Sequence, residues 1–314
     1  MSNGTRQSHA EQIQEVKNRF FAEYIEGGIA NLQSRVHTLQ AALTSVSETT
    51  PELFRYFPVA ATAIIETYFK SIISMVIDKD KKYLDNGLKL ISDKTLKTVE
   101  GISIITSGSA SAGQLIAHLQ GCSSIGVLEV KLSELLGLPL KQILRKAADP
   151  YAIRAKYENP RLVVNDVDEL WRNLDLMFKQ RHIIAHEAAP LYSVSREEAF
   201  GALSACQEFM QGVDAVLFNN VWVDVPLTQY EMNMASYELL LSLRAELTKI
   251  IKLLRRGNLL DRRRHTIWRK FFLIYMTDYA TETMGSIRPM LVADQASKLI
   301  QDRINDLKGI LGYI

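Results

Sequence analysis

A chain of 314 residues, 47% hydrophobic and 23% charged, has globular composition and is long enough for two or three domains with a real core. With 16 Gly and 8 Pro it holds about two-thirds of the usual share, which argues against a turn-rich all-β fold, a collagen-like chain or a long disordered chain. Two cysteines, Cys122 and Cys206, exclude a disulfide scaffold and a Cys-rich zinc finger, and the net charge of +2 gives no global pull toward nucleic acid.

Helical periodicity dominates. Residues Met1 to His9 are polar and lack the apolar core of a signal peptide, so a cytoplasmic address is expected. From Ala10 to about Leu43, Ile13, Val16, Phe20, Tyr24, Ile29, Leu32, Val36 and Leu39 predict a helix, bent or broken at Gly27-Gly28. Ser45 to Pro51 reads as a linker, closing an N-terminal part of residues 1–50. Pro51 to Asp78 predicts a helix with Ala61, Ile65, Tyr68, Ile72 and Met75 or Val76 on one stripe. Its segment Val59 to Ile77 is long enough for a membrane span. Glu66 and Lys70 would each cost about 2–3 kcal/mol in lipid, so a buried amphipathic helix and no membrane partner are expected.

Lys79 to Glu100 is charged, weakly patterned and reads as a shorter helix, and Ile102 to Gly113 reads as a loop. Gln114 to Lys146 reads as two helical pieces with turns near Gly121 and Gly137-Pro139. Arg161 to Ala185 predicts a helix capped by Asn165 or Asp166, with Leu170, Leu174, Met177 and Phe178 on one face and a stop at Pro190. Ser195-Arg196-Glu197-Glu198 is a capping box opening a helix with Phe200, Leu203, Cys206, Met210, Val213 and Leu217 inward. Val221 to Val225 reads as a brief strand or a linker. Three more helices are predicted, about Gln229 to Arg256, Asp261 to Met284 and Leu291 to Gly312. The expected fold class is all-α.

Charge is not evenly spread. Between Arg244 and Lys270, ten Lys or Arg face only Glu246 and Asp261, a net of +8 that leaves −6 for the rest. Arg255, Arg256, Arg262, Arg263, Arg264, Arg269 and Lys270 are candidate RNA-binding residues, because a local field binds phosphates whatever the whole-chain charge. A solvated helix face is the plainer alternative.

The strongest local signal is Arg181-His182-Ile183-Ile184-Ala185-His186, at a helix end. Arginine offers a planar cationic fork that suits phosphate oxygens, and histidine exchanges protons near neutrality. Together they are a minimal kit for cleaving RNA without metal, and a dipole cap or salt bridge is the structural alternative. Positions 181 and 186 lie about 140° apart on an ideal helix, whereas His182 and His186 share a face. One intact helix therefore presents Arg181 and His186 poorly to one phosphate, and either unwinding near Ala185 or a second copy of the motif is expected.

The motif, the Pro190 break, the Ser195 capping box and the helix to Leu217, with the upstream Ile65-Glu66-Thr67-Tyr68-Phe69-Lys70, resemble the HEPN domain family over about residues 51–221. The resemblance implies a helical bundle that dimerises with the motif at the interface. It also implies a metal-independent endoribonuclease of the toxin, antiviral or RNA-processing kind, with an antitoxin or other regulator as a further partner. Arg181 and His186 occupy the family's catalytic positions and His182 its polar position. Glu66 and Tyr68 are looser supporting candidates, Glu66 as a partner for Arg181. Some family members have lost activity and serve as binding modules, which is the alternative here.

Residues 222–314 are similar to the LprI-type lysozyme-inhibitor domain, through Met232-Asn233, Trp268-Arg269-Lys270-Phe271, Gly285-Ser286-Ile287-Arg288-Pro289-Met290 and Arg303 with Leu307. That family carries cysteines and this region has none, so the resemblance implies a helical accessory module rather than lysozyme inhibition. Two near misses remain. Gly108 to Gly113 has P-loop glycine spacing, but Gln114-Leu115 replaces the required Lys and Ser/Thr. His182 and His186, with Glu187, offer an i, i+4 pair to a metal, but the order is not His-Glu-x-x-His and no obvious third ligand follows. No cofactor and no metal are expected.

Overall fold

The computed structural model describes residues 8–19, 24–91, 99–187 and 191–312. These residues are all-α: fourteen α-helices, one short 3-10 turn, no strand, and one isolated bridge between Ala148 and Leu162. The chain divides into two compact units, Met1–Asp149 with Asn159–Trp222, and Pro150–Glu158 with Val223–Ile314.

The first unit contains α1 (His9–Arg19), α2 (Tyr24–Ser45), a 3-10 turn (Pro51–Arg55), α3 (Tyr56–Lys79), α4 (Lys81–Lys89), α5 (Val99–Thr106), α6 (Ala112–His118), α7 (Ile125–Leu136) and α8 (Leu140–Leu144). After α9 (Pro150–Arg154), which belongs to the second unit, come α10 (Val167–His186) and α11 (Arg196–Asn220). The centre of the bundle is α3, packed by α2, α4, α6, α7, α10 and α11. That position explains its composition. Ile65, Tyr68, Phe69, Ile72, Ile73 and Val76 are fully buried, and they lie on several faces, as a helix surrounded by helices requires. The stretch Pro51–Lys79 is long and apolar enough to cross a membrane, and here its apolar side chains are largely consumed by other helices.

Residues 1–50, expected as a separate part, lie within this unit, because Leu32, Val36, Leu39 and Leu43 of α2 enter the same core. Gly27 and Gly28 lie inside α2, which runs through the expected bend or break without ending. Phe20 and Pro190 lie outside the described residues. The expected loop from Ile102 to Gly113 is half helical. Ile104 is buried on α5 against Ile13 and Leu115, and Ser111 opens α6 through a reciprocal cap with Gln114.

Local chemistry sets the two helices that matter most. Asp166 accepts hydrogen bonds from the backbone N–H of Asp168 and Glu169, both at 2.9 Å, and opens α10. Leu170, Trp171, Leu174, Met177 and Phe178 are its buried face. Ser195 and Glu198 form the reciprocal cap of α11. Leu203, Cys206, Met210, Val213 and Leu217 are fully buried, but Phe200, expected inward with them, is 52% exposed. It lies about 120° round the helix from Cys206, and Ala199 and Ala202 fill the inward face instead.

Val221 to Val225 forms no strand and runs as a turn into the second unit. That unit holds α9, α12 (Gln229–Arg256), α13 (Arg262–Glu282) and α14 (Arg288–Gly312). Leu240, Leu243, Leu247, Ile250 and Leu254 of α12 pack with Ala293, Ala296, Ile300, Ile304 and Leu307 of α14. Glu231 accepts from the N–H of Leu227 and Thr228 and from Arg154, tying α9 to the start of α12. The backbone donors first, then Arg154, hold its carboxyl down at about 2. α13 adds only His265 to the buried set, with Trp268, Phe272 and Met276 half-buried beside it.

Candidate active site

The motif sits on the last turn and a half of α10, which stays helical through His186, and the N–H of Glu187 still bonds to the carbonyl of Ile183. The expected unwinding near Ala185 does not occur. The two side chains nevertheless meet: a terminal nitrogen of Arg181 lies 3.3 Å from His186 Nε2. The reason is reach. Arginine's long stem spans the angle that separates the two Cα positions, so an ideal-helix wheel understates what its guanidinium can touch.

His182 and His186, one turn apart, bring their rings to 5.1 Å between centroids at 52°. His182 and His186 are exposed and Arg181 is half-buried. Arg181 also faces Glu66 of α3, Nη2 to Oε1 at 3.9 Å, each side chain about one-third exposed. Glu66, Arg181, His182 and His186 thus form one group across α3 and α10. Tyr68 is not part of it. Two residues along α3 from Glu66, it points into the core, where its hydroxyl lies 2.6 Å from Asp214 Oδ1. Among the described residues, no three His, Cys, Asp or Glu side chains gather as a metal site.

Cys122 is buried nearby; burial first, then the charge of Glu66, pushes its thiol up to about 12. Cys206 is fully buried, its thiol also at about 12 through burial, with Sγ 3.7 Å from the Ala61 carbonyl. Neither is a nucleophile at neutral pH.

The structure also shows groups that patterning passed over. Asp214 on α11 accepts from Tyr68 and from Gln33 Nε2, the latter at 3.1 Å, so three helices share one carboxylate. Burial raises it to about 6, against the two hydrogen bonds that lower it. Gln180, next to Arg181, is buried with neither amide atom hydrogen-bonded among the described residues. The glycine turn at Gly108 to Gly113 already holds an anion of its own. Asp78 Oδ1 accepts from Gly113 N–H at 2.9 Å, and Asp78 Oδ2 accepts from the Ser111 hydroxyl at 2.5 Å.

The basic candidates lie in the second unit. Arg255 and Arg256 close α12, Arg262, Arg263 and Arg264 open α13, and Arg269 and Lys270 follow; all seven are exposed. Of these, only Arg264 has an ion pair among the described residues, with Asp261 at 3.5 Å. Trp268 stacks on His265 and Phe272, with the Arg303 guanidinium 5.6 Å from its ring. Its faces are taken up within the unit rather than open to a base. No family model, no curated protein and no solved structure matches the chain.

Proposed function

We propose that this protein is a metal-independent endoribonuclease of the HEPN type, working in the cytoplasm as a homodimer with the Arg181–His186 motif at the dimer interface. The observation that carries the reading is the 3.3 Å approach of Arg181 to His186 on an exposed helix end, with His182 on the same face. A fixed cation beside a proton-exchanging imidazole is what transesterification of RNA needs. The 2′-oxygen bonds to phosphorus as the bond from phosphorus to the 5′-oxygen breaks, and a proton leaves the first oxygen while another reaches the second. His186 handles these protons, Arg181 stabilises the charge on the phosphorane-like transition state, and His182 orients the phosphate. Glu66 orients Arg181.

The basic residues Arg255 to Lys270 are the RNA-collecting surface of an LprI-like accessory module. One feature supports a binding role. Arg262, Arg263 and Arg264 crowd the positive end of the α13 dipole, where the single carboxylate of Asp261 caps the helix and pairs with Arg264, so a bound anion would offset the remaining charge. A toxin or antiviral role, held in check by an antitoxin or other regulator, goes with the reading.

The test is expression of wild type beside His186→Ala and Arg181→Ala in a bacterial host. Growth arrest and fragmented RNA are expected with wild type alone. Purified protein should cut RNA in the presence of a chelator and leave 2′,3′-cyclic phosphate or 3′-phosphate ends. Ends bearing 3′-hydroxyl, or activity lost with the chelator, would overturn the mechanism.

A second reading is favoured by the Arg181–Glu66 approach at 3.9 Å, which gives Arg181 a structural partner. A catalytically inactive HEPN-like scaffold that binds a partner would show no cleavage of any RNA and would lose stability on Arg181→Ala.

A further inference from the structure

The outer face of α13 has no partner within its unit. Phe272, Met276 and His265 turn toward the unit's core, and Ile267, Phe271 and Ile274 turn away, 59%, 51% and 64% exposed. Soluble chains rarely expose three such side chains on one helical stripe without a use for them. Arg263 precedes them on this stripe and Asp278 follows them. Both are exposed, and neither has an ion-pair partner among the described residues.

The order along the stripe is self-complementary. Laid antiparallel against a second α13, with the two-fold axis between Lys270 and Phe271, the helix sets Ile267 of one copy against Ile274 of the other. Arg263 of one copy then faces Asp278 of the other, at both ends. Phe271 meets the other copy's Lys270, whose stem covers apolar surface and whose ammonium favours an aromatic face. A parallel pairing would set Arg263 against Arg263 and Asp278 against Asp278 and is disfavoured by like charge. A closed two-fold contact demands a patch that complements itself, and the 21 residues of α13, about 31 Å long, supply one.

We propose that the outer face of α13 docks a second copy of this chain, antiparallel, through Arg263, Ile267, Phe271, Ile274 and Asp278. This interface lies in the second unit. It is separate from any pairing of the Arg181–His186 motif and does not depend on the ribonuclease reading. The contact takes up Arg263 and Lys270, so with it formed the basic surface open to RNA is Arg255 and Arg256 on α12 and Arg262, Arg264 and Arg269 on α13.

The test is cross-linking of the full chain under mild oxidation. The native Cys122 and Cys206 are buried, so added cysteines report alone. Ile267→Cys with Ile274→Cys should give a covalent dimer in high yield, and either single variant at least tenfold less. Arg263→Glu or Asp278→Arg in the double-cysteine chain should each lower the yield several-fold, and the two swaps together should restore it. Circular dichroism shows whether each variant keeps its helices; a variant that does not is replaced by Ile274→Ser, read by sedimentation as a weakened self-association. Equal cross-linking of single and double variants would mean parallel pairing and would overturn the proposal. So would an absence of cross-links, or protection of these residues only when RNA or anionic vesicles are added.

Discussion

Asp214 carries a quantitative prediction about pH. Its carboxyl lies among α2, α3 and α11, and burial raises it from 3.8 to about 6. A group that binds its proton more tightly in the folded state than in the unfolded one stabilises the fold while protonated. The benefit is complete below about pH 4 and is lost as pH rises through 6. The shift of roughly two units corresponds to about 3 kcal/mol at 1.36 kcal/mol per unit, and partial access to solvent brings this nearer 2. Asp214→Asn removes the titration but keeps an oxygen to accept from Tyr68, and the Gln33 amide can turn to accept from the new nitrogen. The assay is urea unfolding of wild type and variant between pH 4 and 7.5, followed by fluorescence of Trp171 and Trp222, which lie in the same unit. All other titrating groups cancel in the difference. The variant should gain about 2–3 kcal/mol relative to wild type on going from pH 4 to pH 7. A difference that stays flat across this range would show that Asp214 is not held in its protonated form, and the reasoning from burial would fail.

Other outcomes follow from the same reasoning. Burial first, then Arg303, Arg255 and Arg269, lowers the affinity of His265 for its proton. Stability of the second unit should therefore decline as pH falls below the ordinary histidine value of about 6.5; Trp268 fluorescence checks this, and His265→Leu should flatten the decline. Gly113→Ala would set a methyl 2.3 Å from the Ser74 carbonyl oxygen. A loss of about 1–3 kcal/mol is expected by thermal melting. Gln180→Met removes an unpaired buried amide and should stabilise by about 1 kcal/mol in urea titration; a loss instead would mean that the amide has a partner in the working protein. On the proposed ribonuclease reading, Arg181→Lys keeps a charge but loses the fork, so RNA cleavage should fall by about 100-fold while the fold is kept.

Much of the fold could be read from the chain because its helices carry their own boundary chemistry. Asp166, Ser195 and Thr228 each accept from the backbone of the first turn they open, and Gly137 ends α7 at a φ of 68°. Local chemistry does not determine a boundary or a face that depends on partners distant in sequence. The small, polar run after Ile102 reads as a loop, yet Ile104 is drawn into contact with Ile13 and Leu115, and a helix follows from that burial. Phe200 reads as core by hydrophobicity, yet it sits about 120° round α11 from Cys206, and Ala199, Ala202 and Leu203 are the buried residues at that level of the helix. Gly27-Gly28 reads as a break because glycine weakens a helix by about 1 kcal/mol. The packing of Leu32, Val36, Leu39 and Leu43 anchors the rest of α2.

The candidate site shows the same division between local and distant terms. Arg181, His182 and His186 stand out by residue type and spacing, and Glu66 stands out as a carboxylate on an otherwise apolar helix. Tyr68 shares the α3 segment with Glu66, but two residues along a helix is about 200°, so the two point to nearly opposite sides. One meets Arg181 and the other meets Asp214. The angle between Arg181 and His186 is a poor guide to their contact for a different reason. A wheel compares Cα directions, and it serves for short side chains whose functional atoms lie close to the backbone. Arginine places its charge several bonds out, where one guanidinium can lie 3.3 Å from a histidine on its own helix and 3.9 Å from a carboxylate on another. The same reach lets Arg181 act in either of two ways. Drawn toward Glu66 it braces α10 against α3, and drawn toward His186 it presents a cation beside an imidazole. A phosphate bound between Arg181 and His186 would compete with Glu66 for the guanidinium. Glu66→Gln should then tighten phosphate binding if Arg181 serves the ligand, and should chiefly cost stability if Arg181 serves the fold.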